Sequence, residues 1–225
     1  MNAPKVCAVV GVGPGNGMAL ARRFAREGQR VALLARRQEA LEGYVEEIEG
    51  SAGFACDVTD LGAIASSFEA IREQLGPVDT LLYNAGSGTW GNIDKVSASD
   101  LDRAFQINAR GLFACVKQVL PDMRAAGSGA VGIIGATASL RGKPGTLTFA
   151  AAKAAQRSIA QSLARQLGPE GIHVYLAIID GGIKASEEAK TLDPDHIAET
   201  MWQLANQPRS AWTFELDLRP FVEPW

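Results

Sequence analysis

The chain has 225 residues, 47% of them apolar, and a net charge of −3. That length suits a single domain, residues 1–225, with a substantial core, and the mild acidity lacks the basic footprint of a nucleic-acid binder. No apolar run approaches the roughly 20 residues that span a bilayer.

The first residues, Met1 to Pro4, are too few for a charged leader, and the apolar stretch behind them breaks at Gly11 and Gly13, so no signal peptide is expected. Cys7, Cys56 and Cys115 are odd in number, far apart and without CxxC spacing. They read as buried thiols in a reducing cytosol, which makes the expected location cytoplasmic. His173 and His196 have no cysteine or acidic cluster around them, so no metal site is expected.

In chain order, short apolar runs at Val6–Val10, Val31–Ala35, Gly53–Cys56, Thr80–Tyr83, Ala130–Ile134 and Ile172–Ile179 predict strands. They are continuous rather than alternating, as strands covered on both faces must be. Helical periodicity falls between them, at Met18–Glu27, Glu39–Ile48, Leu61–Leu75, Ser99–Ala126 and Phe149–Leu167. Asp193 can cap a further helix from Pro194 to about Gln207, and Trp212–Leu218 alternates as an edge strand does. Repeated strand–helix units predict an α/β domain: a doubly wound parallel sheet with helices on both faces and its ligand crevice beyond the carboxyl ends of the strands.

The turn Gly11-Val12-Gly13-Pro14-Gly15-Asn16-Gly17-Met18 joins the first strand to the first helix. Glycines let a backbone approach a pyrophosphate closely, and a helix amino end offers it free N–H groups. The spacing fits Gly11-x-x-x-Gly15-x-Gly17 rather than GxGxxG. The second strand ends in Arg36-Arg37, where an acid usually holds the adenosine ribose. An arginine cannot accept the ribose hydroxyls but can pair with a 2′-phosphate, so NADP(H) is expected in preference to NAD(H).

These features, with four further motifs in the right order, resemble the short-chain dehydrogenase/reductase family over nearly the whole chain. Gly11, Gly15 and Gly17 match its glycine turn, and Asp57, before Val58, matches its adenine-contacting acid. Asn84-Ala85-Gly86 matches its NAG motif, Asn108 the asparagine supporting its site, and Lys153 the lysine of its YxxxK motif. The resemblance implies a Rossmann-type fold, a bound nicotinamide dinucleotide and a homodimer or homotetramer joined through the helices at Ser99–Ala126 and Phe149–Leu167.

The departures are chemical. Phe149 stands where the resemblance implies the proton-donating tyrosine, and Ala136 where it implies the serine that holds the substrate oxygen. The implied tetrad therefore reads Asn108, Ala136, Phe149, Lys153. A positioned general acid contributes roughly 10²–10⁴ in rate, so carbonyl reduction by the family's route should be crippled.

Two substitutes present themselves: a hydroxyl from Thr137 or Ser139, or Lys153 acting as the acid with a lowered pKa. After the sixth strand, Asp180 replaces the usual proline and adds a negative charge, while Gly181 and Ile183 remain placed to touch the nicotinamide end. Glu187 and Glu188 read as solvated, Tyr83 and His173 as packed, and Trp202, Trp212 and Trp225 as packing of the carboxyl-terminal segment. The two resulting expectations are an oxidoreductase with a non-standard proton donor, acting on an unidentified carbonyl or alcohol, and a catalytically silent NADP(H)-binding protein.

Overall fold

The computed structural model describes residues 3–184 and 190–223. Alternating elements follow the sequence: β1 (Val6–Val10), α1 (Asn16–Ala25), β2 (Arg30–Ala35), α2 (Gln38–Glu47), β3 (Ser51–Ala55), α3 (Leu61–Gln74) and β4 (Thr80–Tyr83). Then come α4 (Ala98–Phe105), a π turn at Gln106–Arg110, α5 (Gly111–Ala126), β5 (Gly129–Ala136), α6 (Leu147–Leu167) and β6 (Ile172–Ile179). The short strands β7 (Gly182–Ile183) and β8 (Thr191–Leu192) pair with each other before α7 (Pro194–Ala205) and β9 (Glu215–Leu218).

Seven strands form one sheet in the order β3-β2-β1-β4-β5-β6-β9, with every pair parallel. Strand periodicity splits the core into two layers. Val6, Ala8 and Val10 of β1 face α3, α5 and α6, whereas Cys7 and Val9 face α1, α2 and α7. Burying Phe24 or Phe68 contributes about 1.5–3 kcal/mol each, because both rings are fully covered. All three cysteines are buried thiols.

The helix starts read from sequence have their physical causes in place. Asp60 accepts from the N–H groups of Gly62 and Ala63 at the head of α3, Ser97 and Asp100 form a reciprocal capping box on α4, and Asp193 caps α7 with Pro194 at its first position.

The predicted helix Ser99–Ala126 is corrected: the π turn at Gln106–Arg110 divides it. The buried Tyr83 hydroxyl donates to the Ile107 carbonyl inside that turn, holding a backbone acceptor that regular helical bonding releases. The last strand is shorter than expected, Glu215–Leu218, and lies at the sheet edge beside β6. Strand order reverses at β1, between β2 and β4, so a crevice opens beyond the carboxyl ends of β1 and β4.

Candidate active site

The glycine turn is built by close approach. Gly11 has φ +90°, and a Cβ there would lie 2.6 Å from the backbone of Ala85. A Cβ on Gly17 would lie 2.7 Å from Val12 Cα, so α1 can pack under the turn only without it. Gly15 differs: a Cβ there would meet nothing within 4 Å.

Open space lies above Gly15 and no side chain caps the start of α1, an arrangement that fits a diphosphate at the helix amino end. Gly11 and Val12 both donate to the Leu34 carbonyl, which fastens the turn to β2. Pro14 is exposed at its crest. Met18 departs from its expected place beside the ligand: its side chain is core, and its N–H is spent on the Gly13 carbonyl at 3.1 Å. Asn16 is buried and donates to Asn84 Oδ1 at 2.7 Å, while Asn84 Nδ2 donates to the Gly11 carbonyl at 2.7 Å. These two asparagines tie β4 to the glycine turn.

A hollow of about 340 Å³ adjoins this turn, lined by Arg36, Asp57, Val58, Ala85 and Arg103 among others. Asp57 Oδ1 accepts from the N–H and hydroxyl of Thr59. The Thr59 N–H first, then its hydroxyl and the charges of Arg36 and Arg103, hold the Asp57 carboxyl below the usual carboxylate range. Arg37 stands at the start of α2, exposed and outside the lining of this hollow.

Asn84 and Gly86 line both this hollow and a second one of about 430 Å³. Gly86 is the junction: a Cβ there would fall 3.2 Å from Lys153 Nζ and 3.3 Å from Asn108 Oδ1. The π turn carries Asn108, whose Nδ2 donates to the Ser87 and Ala104 carbonyls at 2.6 and 2.8 Å. Its Oδ1 is buried without a protein partner among the described residues. Lys153, on α6 and 4% exposed, donates to the Ile134 carbonyl and to Gln156 Oε1, both at 2.9 Å. An ammonium carries three protons, so one more is available toward the cavity that Lys153 lines. Burial pushes this ammonium down to about 7.

In the second hollow Ala136 and Phe149 present only carbon. The Phe149 ring lies 5.5 Å from that of Trp90 and 5.8 Å from Lys153 Nζ. Thr137 lines the hollow, with its hydroxyl donating to the Ile179 carbonyl at 3.3 Å. Ser139 does not join it: the short 3₁₀ turn Thr137–Ser139 carries that residue to a different groove, beside Ala150 and Ala154, with its hydroxyl buried.

Asp180 is buried in the wall, and its charge is answered by Arg219 at 3.2 Å and Arg141 at 3.4 Å. Gly181 and Ile183 line the same cavity. Tyr83 is fully buried and bonded to Ile107, away from the cavity, as its packing role requires. His173 is buried against Trp212, with ring centroids 4.7 Å apart, and Trp202 packs edge-on against Phe24. Glu187, Glu188 and Trp225 lie outside the described residues.

The model of the short chain dehydrogenase family matches residues 5–196. The chain belongs to that family. Its relatives include the 2-(R)-hydroxypropyl-CoM dehydrogenase of Xanthobacter autotrophicus, 31% identical over 206 residues that cover 87% of this chain and 81% of that one. A solved short-chain dehydrogenase from Rhodopseudomonas palustris is 32% identical with a TM-score of 0.87, covering 96% of this chain and 99% of that one. A metagenomic short-chain oxidoreductase solved in complex with NADP is 26% identical with a TM-score of 0.85, covering 98% of each chain.

This short-chain dehydrogenase therefore has the Rossmann-type doubly wound sheet of an NAD(P)-binding oxidoreductase, and its glycine turn, Asn108 and Lys153 fit such a cofactor. No helix among the described residues is long and apolar enough to cross a membrane. Sequence reasoning missed Arg103, Arg141, Lys143 and Trp90, all of which line one of the two hollows. Charge on an exposed helix or loop residue gives no signal by itself. Only the fold brings these side chains to the crevice.

Proposed function

We propose that this chain is an NADP(H)-linked oxidoreductase acting on a carbonyl or alcohol, with Lys153 in place of a tyrosine as the proton donor. The observation that carries the reading is Lys153 itself: buried in the wall of the second hollow beside Gly86, poised near neutral pH, and with a proton to give. When bound, the nicotinamide would supply or accept the hydride. Gly11 to Gly17 and the start of α1 would hold the diphosphate. Asn84 keeps the turn in shape, and Arg36, with Arg103 nearby, would favour a 2′-phosphate. Asn108 keeps the π turn and Gly86 in register beside Lys153.

Lys153 gives a proton to the substrate oxygen in reduction and takes one in oxidation. Reduction therefore slows as pH rises through the Lys153 titration, because the ammonium is the donating form.

A second reading, a silent NADP(H)-binding protein, is favoured by one observation: Ala136 and Phe149 bring no hydroxyl to the cavity, and that of Thr137 is spent on a carbonyl. The same experiment decides between them. Melting is followed with NADPH, with NADH and with neither, and NADPH absorbance is then followed across a panel of aldehydes and ketones. The proposal expects a larger upward shift with NADPH than with NADH, and oxidation of NADPH that Lys153→Met abolishes. Binding without turnover across the panel establishes the silent reading, and no shift with either nucleotide ends both.

We also propose a homodimer or homotetramer through α4, α5 and α6, supported by the outward-facing Phe105 and Phe113. Sedimentation showing only monomers would refute it.

A further inference from the structure

The second hollow combines an apolar inner wall with a charged rim. Its inner wall is apolar, with Ile134, Ala136, Ile179 and the Phe149 ring. Over its mouth stands Trp90, 68% exposed yet held in place. The Gly91 N–H donates to the Gly145 carbonyl at 2.9 Å, Gly91 bridges Thr146, and the Thr148 hydroxyl donates to the Thr89 carbonyl at 2.9 Å. These contacts bind the segment carrying Trp90 to the start of α6, so its ring lies tilted 32° to that of Phe149 in a fixed aromatic pair. Phe149, with no proton to give, is part of the cavity wall.

The rim is cationic. Arg141 and Lys143 line the cavity, and the one carboxylate among its described lining residues, Asp180, is already engaged by Arg219 and Arg141. Arg141 makes one contact of 3.4 Å with Asp180, which leaves the remaining donors of its fork available. The backbone of Lys143 is fixed by a reciprocal pair of hydrogen bonds with the Thr146 hydroxyl. A cationic rim around an apolar, aromatic-walled hollow matches a molecule with a flat apolar body and an anionic end.

We propose that the substrate of this site carries a carboxylate, held by Arg141 and Lys143, on a planar apolar body that packs against Trp90 and Phe149. The proposal rests on the second hollow being the substrate side of the dinucleotide site. The Trp90–Phe149 pair supplies the surface, and the arginine fork supplies direction, fixing which end of the molecule reaches Lys153. A charged hydrogen bond of this kind separates an acid from its neutral isostere by about tenfold to a hundredfold in affinity.

The test is calorimetric titration of 2-naphthoate and 2-naphthamide, same body and different charge, into the protein with and without saturating NADPH. The expected result is naphthoate binding at least about tenfold more tightly, with the difference lost in the Arg141→Gln/Lys143→Gln double variant. It should also shrink as sodium chloride rises from about 50 mM to 500 mM, a readout that needs no variant to fold. Equal affinity of acid and amide, no binding of either, or a preference insensitive both to salt and to the two substitutions overturns the proposal. A naphthoate preference in a protein that ignores NADPH upholds the anion site and overturns the oxidoreductase reading. Equal affinities in a protein that binds and oxidises NADPH do the reverse.

Discussion

Raising the pH from 7 to 9 is expected to stabilise this protein against urea relative to its Lys153→Met variant. The Lys153 ammonium is held at about 7 in the folded chain against an ordinary 10.5. Between those values the unfolded chain binds more protons than the folded one, so stability rises with pH across the window. Each unit of separation corresponds to about 1.4 kcal/mol, so the charged form is penalised by about 5 kcal/mol well below pH 7. Weighting both titrations, the rise from pH 7 to pH 9 is about 2 kcal/mol.

Urea midpoints read by tryptophan fluorescence at pH 7, 8 and 9 measure it. Cys7 and Cys115, whose thiols burial pushes up, pull the other way toward pH 9 in both proteins. The decisive quantity is therefore the difference between wild type and Lys153→Met. Midpoints that move in parallel for the two proteins would refute the claim that burial, unrelieved by the bonds to Ile134 and Gln156, sets this titration.

The double variant Phe149→Tyr/Ala136→Ser should raise NADPH turnover by about 10²-fold or more, since it places a phenol and a hydroxyl at the cavity; turnover equal to wild type would show that the site runs on another chemistry. Tyr83→Phe should cost about 1–3 kcal/mol, because it strips the donor from the buried Ile107 carbonyl, and an unchanged melting temperature would show that bond to be inert. Gly15→Ala should fold normally and weaken NADPH binding. Gly17→Ala should melt earlier, since its Cβ meets Val12 Cα at 2.7 Å. Equal melting of these two variants would contradict the division of the turn into a packed and an open glycine.

The fold was legible because its causes are local or periodic. Continuous apolar strands such as Val6–Val10, the cap at Asp193, and the glycine turn each carry a signal within a few residues. The two motif positions Asn108 and Lys153, forty-five residues apart, meet beside Gly86. What escaped depended on contacts across the chain. The π turn answers to a tyrosine twenty-four residues away, and no propensity in Gln106–Arg110 announces it. Ser139 was unreadable as a hydroxyl source because one short 3₁₀ turn decides which groove it faces. Met18 sat in a ligand-binding motif, yet helix geometry aimed it inward. The charge at Asp180 was read correctly, but its neutralisation by Arg219, from beyond the last strand, was not visible in the local sequence.

The π turn between α4 and α5 holds one residue more than an unbroken α-helix would use there. Deleting a single residue from Gln106–Arg110 would let the rod anneal into continuous i→i−4 bonding, and would swing the carboxamide of Asn108 by about 100° away from Gly86. Such a shortened protein could outlast its parent on heating while its cleft fell out of alignment. Robustness and chemistry thus pull that one segment in opposite directions, and the extra residue is where the compromise is kept.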